Sequence, residues 1–298
     1  MNEHKAGAGL VLPVLSATAG FLLWGSSLSM VKIALGSFDP LFVVFARMGL
    51  TLVVVTPLAL SKFRPKRLPG KKDCILLLLL VLCEPMAAFT FEALAMQYTS
   101  ASQAGMLWAL GPAVYAFGGW LVFRQGITIF KALCFLVAFA GVALLTLSGG
   151  VSNQAANPVL GNFFVFLSML GGAGFVLIIH HFQGRYHPLF IIWLQSLSAV
   201  LFMLPGLGLG VIPLPTDVSL PAAGALVYLA LAVTLGAQAF GAYAIGNVPV
   251  PVYASLSNII PVSGVLFGLL LLGETLSPIQ WAACAIVLAA VIISQRRG

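Results

Sequence analysis

The amino-acid sequence predicts an all-α integral membrane protein with ten transmembrane helices arranged as two inverted five-helix repeats. Three observations carry that expectation. Hydrophobic residues make up 61% of the 298, and the mean hydropathy is +1.10, well outside the range of a soluble domain. Apolar runs of about 20 residues recur along the whole chain, each long enough to cross roughly 30 Å of hydrocarbon as a helix. Segments of the first half also reappear in the second.

The spans fall near 10–34, 39–61, 74–97, 101–123, 128–148, 158–182, 187–206, 221–246, 250–272 and 278–295. They are continuous rather than alternating, so strands are not expected. No soluble domain fits between them, and no cleavable signal is expected, since the first span leads straight into the next. The first carries Trp24 and Lys32, the second Arg47, and the third Glu84, Pro85 and Glu92. The fourth and ninth hold Pro112 and Pro261 at matching places. The fifth and tenth have charge-free stretches, "LCFLVAFAGVALLTL" and "WAACAIVLAAVII", and are expected at the periphery of their repeats. There Gly141, Ala282, Ala285 and Ala289 would permit close helix contact, including contact between protomers. The sixth ends in His180-His181; neighbours point about 100° apart on a helix, so the pair reads as interfacial rather than metal-binding.

A balance of +7 is compatible with a nucleic-acid partner, but the positions of the charges argue otherwise. Lys62, Arg64, Lys66, Arg67, Lys71 and Lys72 crowd the loop after the second span, and Arg124, Lys131, Arg185, Arg296 and Arg297 fall at the same side. Loops on the other side hold Asp39, Asp217 and Glu274 with no lysine or arginine. This is the positive-inside pattern; it puts both termini in the cytoplasm and reports topology, not a polyanionic partner. Cys74, Cys83, Cys134 and Cys284 stand singly, with neither metal-ligand spacing nor a disulfide framework, and read as packing residues.

The repeat is gapless where it is clearest. "DPLFVVFARMGL" (39–50) lines up on "HPLFIIWLQSLS" (187–198). "LWALGPAVYAFGGWLVF" (107–123) lines up on "LSNIIPVSGVLFGLLLL" (256–272), with Leu107, Pro112, Gly119 and Leu121 returning as Leu256, Pro261, Gly268 and Leu270. Residues 1–148 and 158–298 are thus two copies of one unit, joined by the exposed linker 149–157 within "SGGVSNQAANP". An odd number of spans per copy sets the copies upside-down to each other. That is the organisation of secondary transporters, whose substrate site lies near the midplane between the halves.

These segments, with "LLWGSSLSMVKIAL" (22–35), "ALAMQYTSASQAGMLWALGPAVYA" (93–116) and "NVPVPVYASLSNIIPVSGVLFGLLLLGETLSPIQWAACAIVLAAVIIS" (247–294), resemble the EamA-type members of the drug/metabolite transporter superfamily over essentially the whole chain. The resemblance implies a ten-helix small-metabolite carrier, usually an exporter, and names no substrate. The second repeat has the family's Gly273-Glu274 after its fourth helix; the first has Arg124-Gln125 there, which leaves a shared role for that glutamate open.

The candidate site starts from "CEPMAAFTFEALAM" (83–96). Glu84 is on the order of 15 Å into its span and Glu92 about 12 Å further, on nearly the same stripe. An ionised side chain facing lipid at the centre costs roughly 2.5–3.5 kcal/mol, so this stripe should face protein or a wet cavity. Arg47 sits at an intermediate depth; Lys32, close to the outer end, can snorkel. The aligned positions in the second repeat are His180, Gln195, Val233 and Gly241 for Lys32, Arg47, Glu84 and Glu92. Two readings stand. Arg47 and an acid form a buried ion pair between helices, or one acid, Glu84 by its depth, meets substrate or a coupling proton while Glu92 neutralises Arg47.

Trp24 and Trp108 lie at mid-membrane depth, where a ring can stack on a ligand, hold an ammonium group or simply pack. Phe91, Trp193, Tyr243 and Tyr253 are weaker instances of the same kind. Gln195, Gln238 and Asn258 supply polar groups from the second half, to bridge helices or touch a ligand. Pro85, Pro112 and Pro261 each remove a ladder hydrogen bond and are candidate hinges.

The expectation for function is a secondary carrier of a small polar or amphipathic, amino-acid-like metabolite, working outward by alternating access, with or without proton coupling. It would sit in the cell inner membrane as a monomer or homodimer, with a small-molecule substrate, surrounding lipid, no cofactor and no nucleic acid. An exporter of hydrophobic organic cations is the alternative substrate class. An integral membrane enzyme acting on lipid is the alternative of a different kind, but no nucleophile, metal-ligand or acid–base cluster stands out. A non-transporting partner or sensor subunit would have little surface outside the spans with which to signal.

Overall fold

The computed structural model describes residues 3–61, 70–124, 126–149, 155–182, 185–245 and 247–296. Ten helical segments order the described chain: α1 (Glu3–Ala34), α2 (Pro40–Ser61), α3 (Lys71–Tyr98), α4 (101–123), α5 (Ile129–Ser148), α6 (Pro158–His181), α7 (Pro188–Gly208), α8 (220–245), α9 (250–272) and α10 (Pro278–Arg296). Eight of these are long and apolar enough to cross a membrane. The other two, α4 and α9, are interrupted, by a 3-10 turn at Trp108–Leu110 and by a turn at 257–258. Both interruptions lie just before a proline, Pro112 or Pro261, which removes the N–H that would have bonded back to Trp108 or Ser257. Side-chain caps mark the starts: Ser100, Thr128, His187 and Ser219 each accept from a backbone N–H of the first turn.

Where the turns meet shows the inversion. Ser37 donates to Ser219, joining the α1–α2 and α7–α8 turns. The Asn157 N–H donates to the Tyr98 carbonyl, and Glu274 accepts from Ala101, bringing the α5–α6 and α9–α10 turns to the α3–α4 turn. At the opposite end Arg185 pairs with Asp73 at 3.3 Å, joining the α6–α7 and α2–α3 connections. The α1–α2 turn and its repeat counterpart, α6–α7, therefore sit at opposite ends. Packing obeys the same two-fold relation: α1 lies on α8 and α9 as α6 lies on α3 and α4, while α2 meets α7, α4 meets α9, and α5 meets α10.

Close approach rests on small residues. A Cβ added to Gly105 of α4 would lie 2.9 Å from the Gly264 Cα of α9, so the two backbones nearly touch. Helices α5 and α10 pack on one another, with Gly141 against Val287 and Ala283. Gly141, expected to serve contacts within or between protomers, is used inside one chain. The other faces of the two helices carry exposed Leu133, Leu136, Ile286 and Ile293, the apolar exterior that lipid requires.

Candidate functional site between the repeats

The site is organised by a break in α3. The helix is kinked over Leu82–Ala87, where Glu84 is extended (φ −143°, ψ 125°) rather than helical. Pro85 explains it: a residue preceding proline is driven out of the α region. The Glu84 carbonyl, released from the helix ladder, accepts from Gln195 Nε2 of α7 at 2.8 Å. Its carboxylate Oε1 lies 3.4 Å from Gln238 Nε2 of α8. Both amides belong to the second repeat, and the Glu84 side chain is only half-buried.

Helix α8 breaks at the matching place, with a π-helical segment over Leu229–Ala237 and no proline. Thr234, which aligns with Pro85, bridges the irregularity by donating to the Leu229 carbonyl at 2.9 Å. Such π segments recur at functional sites.

Arg47 occupies a separate, sealed pocket. It is 3% exposed. Its Nε donates to Thr234 Oγ1 at 2.7 Å, a terminal nitrogen lies 3.9 Å from Glu92 Oε1, and its guanidinium sits 4.1 Å over the Phe89 ring. Ser27 also lies within electrostatic reach of Glu92. Arg47 also lies within electrostatic reach of Glu84, but its ion pair is with Glu92.

The aromatic residues sort into two groups. Tyr253 packs on Phe21 at 4.9 Å, and Trp24 on the same ring at 5.8 Å. A Cβ on Gly241 would come within 3.3 Å of both Trp24 and the Tyr253 hydroxyl, so the glycine aligned with Glu92 leaves the space they use. Tyr115 joins them, within electrostatic reach of both Glu84 and Tyr253. The rest serve packing. Phe91 stacks on Phe164 of α6, Trp193 donates to Thr56 between α7 and α2, and the Trp108 ring lies against Gly172 of α6.

Two expected site residues are held elsewhere. Tyr243 is 44% exposed. The Asn258 amide donates to Gln295 and to the Ser255 carbonyl, and its side chain lines a shallow, mostly apolar lateral groove with Leu22 and Leu266 rather than the Glu84 site. Lys32 does not snorkel: its Nζ donates to the Thr99 carbonyl at 2.6 Å and faces Glu274. Glu274 in turn accepts from the Ala101 and Ser102 N–H groups at 2.7 and 2.8 Å, capping the start of α4 from the other repeat. The role left open by the sequence is thus a cross-repeat cap. Among the described residues no cluster of three metal-ligand side chains occurs. Residues 62–69 and Gln125 lie outside the described residues, and the His180 side chain does too.

Phe89, Thr234, Ser27 and Tyr115 went unnoticed in the sequence. Thr234 alone left a signal there, its alignment with Pro85.

The model of the EamA-like transporter family matches residues 11–147 and again 159–295. The chain belongs to that family. It is 31% identical over 103 residues to an uncharacterized protein of Haemophilus influenzae, covering 35% of this chain and 78% of that one. It is 24% identical over 202 residues to YetK, an uncharacterized transporter of Bacillus subtilis, covering 66% of this chain and 61% of that one. A solved crystal structure superposes with a TM-score of 0.65 at 18% identity, covering 95% of this chain and 97% of that one, and so shares the fold. This EamA-family chain is therefore a multi-pass membrane protein of a transporter family, in a lipid environment and with a small-molecule substrate.

Proposed function

We propose that this chain is a secondary carrier that moves a small polar or amphipathic metabolite bearing an amino group, by alternating access and from the cytoplasm outward. The observation that carries the reading is Glu84. It stands half-buried at a break in α3, with its backbone carbonyl accepting from the Gln195 amide of α7, its carboxylate 3.4 Å from the Gln238 amide of α8, and Tyr115 within electrostatic reach. A group held jointly by both repeats changes its surroundings when they rock against each other, as alternating access requires. The matched breaks of α3 with α8 and of α4 with α9, including those at Pro85, Pro112 and Pro261, are the places where such motion can bend the helices. We place the end bearing residues 62–72 in the cytoplasm, with both termini, in the cell inner membrane. The repeats divide at the 149–157 linker, and the working unit is a monomer or homodimer.

Counterflow in proteoliposomes with a panel of metabolites tests transport. Glu84 also serves as the coupling group in this proposal, with Arg47, Glu92, Tyr115 and Cys83 as the titratable or charged groups that act on it. Glu84→Gln should leave the protein folded and remove the response of transport to a pH gradient. A variant with unchanged rate and pH response reduces Glu84 to a structural role. Topology is checked by outside labelling of cysteines placed at Lys66 and Asp217, of which only the second should react.

A further inference from the structure

Between the terminal turns of its helices, the described chain carries three charged side chains: Arg47, Glu84 and Glu92. The ion pair of Arg47 is with Glu92, and Glu84 lies within its electrostatic reach without pairing. Arg47 and Glu92 are both nearly fully buried and face each other, and the guanidinium is also held by Thr234 and covered by Phe89. The nearest further cation, Lys32, is at the acidic end, engaged with the Thr99 carbonyl and Glu274. One carboxylate, Glu84, makes no ion pair, and it alone of the three is not fully buried.

From this we infer that the cargo is a cationic amine or ammonium compound without a carboxylate, carried with its charge on Glu84 and its apolar part against the Trp24, Tyr253 and Tyr115 group. The inference rests on the carrier reading above and narrows its substrate class. A zwitterion brings one charge of each sign into the site. Its ammonium would find Glu84, but its carboxylate would find no exposed cation. Arg47 could turn to it only by abandoning Thr234, Phe89 and Glu92, and would leave Glu92 buried and unpaired. A carboxylate beside Glu84 would add like-charge repulsion. A monocation instead completes the charge balance, and the ring faces of Trp24 and the tyrosines suit an alkyl or aromatic ammonium. The Gln238 amide and the Tyr115 hydroxyl remain to bond a polar group on the same molecule.

Matched pairs that differ by a carboxylate isolate the point: tyramine against tyrosine, and agmatine against arginine. Binding is measured on the purified full chain by intrinsic tryptophan fluorescence and by displacement of radiolabelled amine. The amine of at least one pair should bind about tenfold or more tightly than its amino acid, because the latter leaves a charge unpaired. Glu84→Gln, confirmed folded by its thermal profile, should lose that amine by a similar factor, and Tyr253→Leu should weaken it less. Tyr253→Leu also serves as the variant to read should Glu84→Gln not fold. Equal or tighter binding of the amino acids overturns the inference. Amine affinity unchanged in folded Glu84→Gln overturns it, as does an unchanged Tyr253→Leu where Glu84→Gln does not fold, or no binding by either amine. Counterflow separates the two levels: transport of tyrosine or arginine without the amines would keep the carrier and discard the substrate class.

Discussion

The two repeats share their irregularities and divide their charges. Both third helices are irregular at the matching place, with a kink at Leu82–Ala87 and a π segment over Leu229–Ala237, and both fourth helices break just ahead of a proline. Both fourth helices end on a left-handed residue, Arg124 and Gly273. Yet Arg47, Glu84 and Glu92 align with Gln195, Val233 and Gly241. The first repeat supplies the charges and the second supplies neighbours to them: Thr234 for Arg47 and Gln238 for the Glu84 carboxylate, with Gln195 on the Glu84 backbone carbonyl. At the acidic end the direction reverses, with Glu274 of the second repeat capping α4 of the first. The shared breaks belong to the architecture, and in the proposed function the asymmetric charges serve the cargo. A pair of identical repeats could bend in the same places but could not hold one unbalanced carboxylate.

The largest expected effect comes from breaking the sealed pair. Arg47→Ala leaves Glu92 buried without a counter-charge, which can cost about 3–5 kcal/mol. Thermal unfolding in detergent should show a large drop or no folded protein, and adding Glu92→Gln should restore much of it. No drop for the single variant, or no recovery for the double, would mean that the pair is not what holds this level of the bundle. Glu274→Ala comes next. It removes the acceptor of two buried N–H groups, at a cost of about 1–3 kcal/mol. Its mirror position already lacks the glutamate, so Gln125→Ala should leave the unfolding midpoint near wild type. Equal losses at both positions would show that the ends are not chemically different.

How much of this was legible in the sequence follows from what each feature depends on. The ten spans and the repeat were, because apolar length and local motif need no knowledge of neighbours. Glu84 and Glu92 were, because charge in a span is rare and costly. Depth suggests a division of labour between them; the ion pair of Arg47 is with Glu92 at 3.9 Å, which fits both readings of the group, and the role of Glu84 stays a proposal. Phe89 and Tyr115 were not legible, since nothing distinguishes a ring that covers a guanidinium from one that packs. The Glu274 cap joins residues 173 apart in the chain, and no local pattern announces it. The placement of Tyr243, exposed, and of Asn258, bonded to Gln295, was not legible for a related reason. Residue type at the right depth does not say which face of a helix looks inward, and a π segment upstream in α8 shifts that face for Tyr243.

The smallest effect tests the symmetry at the level of the backbone alone. Arg124 (φ 55°) and Gly273 (φ 63°) end α4 and α9 in the same left-handed conformation. For any residue with a Cβ this conformation costs about 1–2 kcal/mol, and glycine avoids that cost. No atom lies within 4 Å of where a Cβ on Gly273 would be, so the cost of Gly273→Ala is conformational and not steric. Arg124 is exposed, so Arg124→Gly relieves the backbone without opening a buried gap. The two substitutions should therefore shift stability by similar amounts in opposite senses. Arg124→Gly is expected to stabilise by about 1 kcal/mol and Gly273→Ala to destabilise by about as much, both read from unfolding midpoints. Glycine also enlarges the freedom of the unfolded chain, which trims the gain at Arg124 and softens the loss at Gly273 equally. A loss at Arg124 would mean that its side chain holds that end of α4 by more than the strain it bears, and the likeness of the two helix ends would then stop at their dihedral angles.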